Sequence, residues 1–178
     1  MRDEERSTEF VEFTRTHRRD LMRTAGLLCA GDEAHAEDLV QTTLTKLYLS
    51  WARVRRADSP LAYARTSLTH LFIDETKRAH RRRETTSADP TLALAREPVR
   101  AGTDLELREA VLAALQSLGP RQRAVVVLRH WLDLDVAETA HVLGCSTGTV
   151  KSQNARALAH LRTVLETADH HLILEESP

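Results

Sequence analysis

The chain has 178 residues and a formal net charge of -1, enough for one domain or two small ones and too evenly charged for a simple nonspecific polyanion binder, which is usually strongly basic. Hydrophobic residues make up 42% and aromatics only 4%, a balance that disfavours a large sheet core. Helix formers dominate and no region sustains strand alternation, so the composition predicts an all-α protein packed through Leu, Ala and Val.

In chain order, Phe10, Phe13, His17, Leu21, Ala25 and Leu28 recur every three or four residues and predict a first helix. Gly31 and Asp32 break it. A second helix is expected from about Ala34 to Trp51, with Leu39, Val40, Leu44, Leu47 and Tyr48 inward and Glu37 and Asp38 in its first turn, where carboxylates suit the helix dipole. Asp58-Ser59-Pro60 reads as a helix start with proline in the first turn. The third helix carries Leu61, Tyr63, Ala64, Leu68, Leu71 and Phe72 towards a basic run from Lys77 to Arg83. Tyr63 and Phe72 are expected in the core rather than as base-stacking platforms.

Periodicity then lapses. Thr85-Thr-Ser-Ala-Asp-Pro90, Pro98 and Gly102 are consistent with a flexible linker over 85–103, joining a block at 8–84 to one at 104–165. The second block opens with Leu105, Val111, Leu112, Leu115 and Leu118 at helical spacing. Gly119-Pro120 ends that helix and starts the next, Arg121 to Trp131, packing through Val125, Val126 and Leu128. Asp135 and Glu138 have capping-box spacing before a helix carrying Ala137, Ala140 and Leu143. Gly144 supplies a turn suited to positive φ. Ser146 caps a last helix through Val150, Ala155, Leu158 and Leu161, and 169–178 is expected to be a frayed end or a small docking segment.

Cap, small residue, turn glycine and inward valine follow one another between Asp135 and Val150 in the order of a helix-turn-helix, whose second helix enters the DNA major groove. Its outer face offers Thr147, Thr149, Lys151, Ser152, Gln153 and Arg156: hydroxyls, an amide and cations able to meet phosphates or base edges. Chemistry of other kinds finds no footing. No acid and base are paired convincingly and no glycine loop could cradle phosphate, so no catalytic residues and no cofactor are expected. His141 and Cys145 lack companions at metal-ligand spacing, so no metal is expected. Cys29 and Cys145 form no CxxC pair, which predicts a reduced, cytoplasmic setting. No apolar run approaches the roughly 20 residues of a membrane span, and nothing resembles a signal peptide.

Ala36-Glu-Asp-Leu-Val-Gln41, Ser117-Leu-Gly-Pro-Arg-Gln-Arg123, Val136-Ala-Glu-Thr-Ala140, Gly144-Cys-Ser-Thr-Gly-Thr-Val-Lys-Ser-Gln153 and Arg156-Ala-Leu-Ala-His-Leu-Arg162 carry a resemblance. The chain resembles a bacterial RNA polymerase sigma factor of the extracytoplasmic-function group, especially its SigE-like actinobacterial branch. The resemblance implies sigma region 2 over 8–84 and sigma region 4 over 104–165. Glu37, Asp38, Leu39 and Gln41 would then dock on the coiled coil of the largest polymerase subunit, with the flap region as a further polymerase contact. Tyr63, His70, Asp74, Lys77, Arg78, Arg81 and Arg82 would face the -10 element and help open it. Ser146, Thr147, Thr149, Lys151, Ser152, Gln153 and Arg156 would read the -35 element. Masking by an anti-sigma partner suits such a subunit. His70 stands where many family members carry Asn, and Asp74-Glu75 adds negative charge to the -10 helix.

Overall fold

A computed structural model of the chain describes residues 2–85 and 103–175. The expected linker therefore lies outside the described residues, except that Thr85 and Thr103 end one helix and begin the next. The elements are α1 (Arg2–Leu28), α2 (Glu33–Leu49), a single turn α3 (Trp51–Val54), α4 (Pro60–Thr85), α5 (Thr103–Gln116), α6 (Pro120–Val126), a π-helical turn over Val127–Trp131, α7 (Val136–Leu143) and α8 (Thr147–Glu175). Among the described residues every regular element is helical, as composition and periodicity predict.

The first block is a bundle of α1, α2 and α4. Phe13, Leu21, Ala25 and Leu28 are buried along α1, meeting Leu39, Val40, Leu44 and Leu47 of α2 and Ala64, Leu68, Leu71 and Phe72 of α4. Each large side chain among these contributes roughly 1.5–3 kcal/mol on removal from water, so this seam fixes which side of α4 points outward. At the start of α4, Ser59 Oγ accepts the Ala62 N–H at 3.2 Å. Phe72 belongs to the core as expected, while Tyr63 is half-buried.

Two expectations for α2 change. Asp32 is the N-cap, accepting the His35 N–H at 3.0 Å, and the acid of the first turn is Glu33. Glu37 and Asp38 sit a turn further along, where the dipole has faded. Tyr48 is exposed rather than inward, because its ring rests on the edge of Phe10 with centroids 5.1 Å apart and the Arg6 guanidinium covers it.

In the second block, α6 buries Val125 and Val126, and the π-turn buries Leu128, as predicted. Within the π-turn the Leu132 N–H reaches back five residues to the Val127 carbonyl at 3.0 Å. The capping box is formed: Asp135 Oδ1 accepts the Glu138 N–H at 2.8 Å, and Glu138 Oε2 accepts the Asp135 N–H at 2.7 Å. Gly144 is left-handed with φ 58°. Along α8 the inward residues are Val150 and Ala157, with Asn154 and Leu161 half-buried, whereas Ala155 and Leu158 lie on the outer face. Ala137 of α7 is exposed as well. The expected frayed end is helical as far as Glu175.

The blocks are not separate bodies. Ala124 and Val127 are buried in the cluster otherwise built from α1–α4, and Leu27 and Ala30 pack on Leu115, Leu118, Val126 and Ala157. Arg123 ties the junction: its guanidinium donates to the carbonyls of Leu115, Gln116 and Leu118 in its own block and to that of Leu28 at the end of α1.

Candidate nucleic-acid interface

The helix-turn-helix is assembled by local signals that reinforce one another. The capping box starts α7, and Gly144 ends it in the left-handed region, where a residue with a Cβ would be strained even though the space around it is open. Ser146 Oγ then accepts the Thr149 N–H at 3.1 Å and starts α8. Val150 is fully buried against Val125 and Ala140, so α7 and α8 approach through small side chains. With Val150 inward, the opposite face of α8 is directed to solvent. Ser146, Thr147, Lys151, Ser152 and Arg156 are exposed, and Thr149 and Gln153 are half-buried.

Three of the hydroxyls on this face are committed locally. Ser146 Oγ and Thr149 Oγ1 lie 2.9 Å apart, and Ser152 Oγ donates to the Thr149 carbonyl at 3.0 Å. These bonds fix rotamers while leaving oxygen lone pairs outward, and Lys151 and Arg156 flank them as cations. Asn154 belongs elsewhere: its Oδ1 meets His130 Nε2 at 3.0 Å, linking α8 to the π-turn.

The expected -10 residues line one side of α4. Lys77, Arg78, Arg81 and Arg82 are exposed, but Asp74 pairs with Lys77 at 3.5 Å and lowers the net charge there. Tyr63 is covered by Arg53, whose guanidinium stacks over the ring and donates to its hydroxyl. His70 is exposed on this side of α4, and its ring Nε2 donates to the carbonyl of Val142 in α7.

On α2, Glu37, Asp38 and Gln41 are exposed, with Glu37 held by Arg18 at 2.7 Å. Leu39 is fully buried and supports this face from beneath rather than lying on its surface. The corner between α1 and α2 holds Cys29, whose thiol is pushed up to about 12 by burial, with the Asp32 carboxylate acting in the same sense and Arg123 against it. Burial in turn lowers the pKa of the Arg123 guanidinium. Among the described residues no group of His, Cys, Asp or Glu is placed to hold a metal ion, and no helix is long and apolar enough to cross a membrane.

Sequence reasoning missed Arg123, Trp131 and Thr24 as functional candidates. The Trp131 indole N–H donates to Thr24 Oγ1 at 3.3 Å, across 107 positions of sequence. No local spacing could have announced that pairing.

Residues 13–83 match sigma-70 region 2 and residues 108–161 match sigma-70 region 4. The RNA polymerase sigma-E factor of Streptomyces antibioticus is 41% identical over 162 residues, covering 90% of this chain and 87% of that protein. The sigma-E factor of Streptomyces coelicolor is 39% identical over 162 residues, covering 90% and 88%. A solved complex of the sigma factor RpoE with the anti-sigma factor NepR from Bartonella quintana is similar in structure, with a TM-score of 0.71 at 25% identity over 89% of this chain and 97% of that one. Capped helix pair, basic α4 and these likenesses converge: the chain belongs to the sigma-70 superfamily of RNA polymerase sigma factors, in the extracytoplasmic-function group on the branch of the Streptomyces sigma-E factors, a family of non-catalytic transcription subunits.

Proposed function

We propose that this chain binds core RNA polymerase and directs promoter-specific initiation by reading a -35 element with α8 and a -10 element with α4. The observation that carries the reading is the outward face of α8, where Thr147, Lys151, Ser152 and Arg156 surround a capped helix start. Helix N-termini favour phosphate, and side chains there reach base edges when the helix lies in the major groove. On this reading Ser146, Thr149 and Gln153 complete the -35 surface.

The exposed cations of α4 would hold the backbone of an opened -10 segment while unstacked bases are captured, as single-strand readers do. Asp74 limits nonspecific attraction by neutralising Lys77, which suits a subunit that should discriminate rather than merely adhere. Tyr63 joins the -10 surface once Arg53 swings off its ring. Glu37, Asp38 and Gln41 form the proposed docking face for the polymerase coiled coil, and the second block meets the flap region. Anti-sigma capture is supported by the likeness to a sigma factor solved with its anti-sigma factor.

The test is run-off transcription with purified core polymerase on a library randomised at both promoter elements. Initiation enriched for one pair of motifs at a fixed separation is the expected result. Transcripts absent from every template would overturn the reading.

A further inference from the structure

Glycine is among the poorest helix formers, because it gives up the most backbone freedom on folding and packs no side chain. A glycine within a helix therefore needs a reason. Gly31 and Gly144, at turns, have one in positive φ angles of 85° and 58°, and a Cβ on Gly31 would also press on Leu112 at 3.2 Å. Gly148 has neither. It lies in the first turn of α8, its φ is not positive, and it is exposed. A Cβ built on it would meet Ser146 Oγ at 3.8 Å, an ordinary contact. Among the described residues nothing requires its side chain to be missing.

Its place on the helix points to a reason outside the chain. Residues three and four apart share a helix face, so Gly148 stands one turn before Lys151 and Ser152, with Arg156 a further turn along. Thr147, Lys151, Ser152 and Arg156 are exposed on this side, while Val150 points the other way and is fully buried. The outer face of α8 is thus a ridge of side chains with a notch at its leading end. The ridge keeps an approaching surface at side-chain length. At the notch that surface can come within van der Waals distance of the main chain, about 4 Å.

We propose that Gly148 is a close-approach site for duplex DNA: a sugar–phosphate strand at the wall of the major groove seats against its bare Cα, and a methyl group there would lift α8 away from the bases. The proposal rests on the promoter reading above and deepens it. Lys151, one turn along, supplies a cation for the same strand. A bare Cα has no side-chain donor or acceptor with which to tell base pairs apart, so this contact sets depth of insertion rather than choice of sequence. Depth governs the neighbouring contacts. Hydrogen bonds from Gln153 and Arg156 to base edges hold only over roughly 2.7–3.2 Å, and lifting the helix by about 1 Å carries them past that range.

The test is Gly148→Ala in the full-length chain, assembled with core polymerase and titrated with a promoter fragment enriched in the run-off library. Alanine is the better helix former, so the melting temperature should hold or rise. Holoenzyme assembly, followed on native gels, should be unchanged. Promoter affinity should nevertheless fall about tenfold, the worth of one bidentate base contact, and by a similar factor on fragments with single changes in the -35 element. Gly148→Leu, a longer obstruction, should weaken it further. Gly26→Ala is the control: Gly26 is half-buried in α1, a Cβ there would meet nothing within 4 Å, and promoter affinity should not move. Wild-type affinity in both Gly148 variants overturns the proposal, as does a loss accompanied by impaired assembly or a lowered melting temperature. A loss confined to particular -35 sequences also overturns it, because that marks contact with a base edge. If the wild-type holoenzyme binds no promoter, the promoter reading falls and this inference with it. Wild-type binding with an indifferent Gly148→Ala removes this inference alone.

Discussion

Gly144 is a position where backbone conformation alone sets the cost of substitution. Its φ of 58° lies in the left-handed region and its surroundings are open, so Gly144→Ala adds strain without a clash. Destabilisation of about 1–2 kcal/mol is expected in a denaturant titration, and less for Asn, which tolerates that region. Cys29 offers a second test at this scale. Its thiol is buried and its pKa is pushed up to about 12, so little thiolate exists at pH 8 and alkylation by iodoacetamide should be far slower than at the half-buried Cys145. Equal rates at the two sites, followed by peptide mass spectrometry, would contradict the packing at the end of α1. Gly144 was readable in advance because its signals are neighbours in sequence. Arg123 was not, since its bond to Leu28 joins groups 95 positions apart.

Among the elements, the proposed function assigns α2 and α8 the work of meeting other molecules. Asp38 is exposed on α2 above the fully buried Leu39. Asp38→Ala should therefore weaken association with core polymerase about tenfold in a pull-down titration while leaving the melting temperature unchanged. Lys151 stands on the outer face of α8, and Lys151→Ala should weaken promoter binding across sequences and reduce the slope of log affinity against log salt by about one. An unchanged slope would remove Lys151 from the phosphate contacts. The helix-turn-helix was legible because capping box, turn glycine and Val150 act within a few residues of each other. The seam of α8 was less so. Apolar residues occupy two of its faces, and only the placement of α5 and α6 decides that Ala157 goes inward while Ala155 and Leu158 stay out. Tyr48 failed for a related reason: an aromatic ring can cap the rim of a core as well as fill it.

At the scale of the whole molecule, the sequence presents two blocks and a break between them, and nothing in its periodicity distinguishes docked blocks from independent ones. That distinction depends on surfaces assembled from both halves. Ala124 and Val127 look like ordinary inward residues of their own helices, yet they are buried in the other block's core. Leu27 and Ala30, on the other side, serve the second block's cluster. Pulling the halves apart must wet these side chains, with a penalty of about 25 cal/mol for each Å² of apolar surface uncovered. A chain whose halves have parted is consequently sticky. Trp131→Ala protein should bind more of the dye ANS than wild type and sediment as higher oligomers as its concentration rises, and equal dye binding would argue that the halves stay together. Any partner that separated the two halves would therefore have to offer an oily surface in exchange for the one removed, so that opening the chain and guarding it against self-association become the same event.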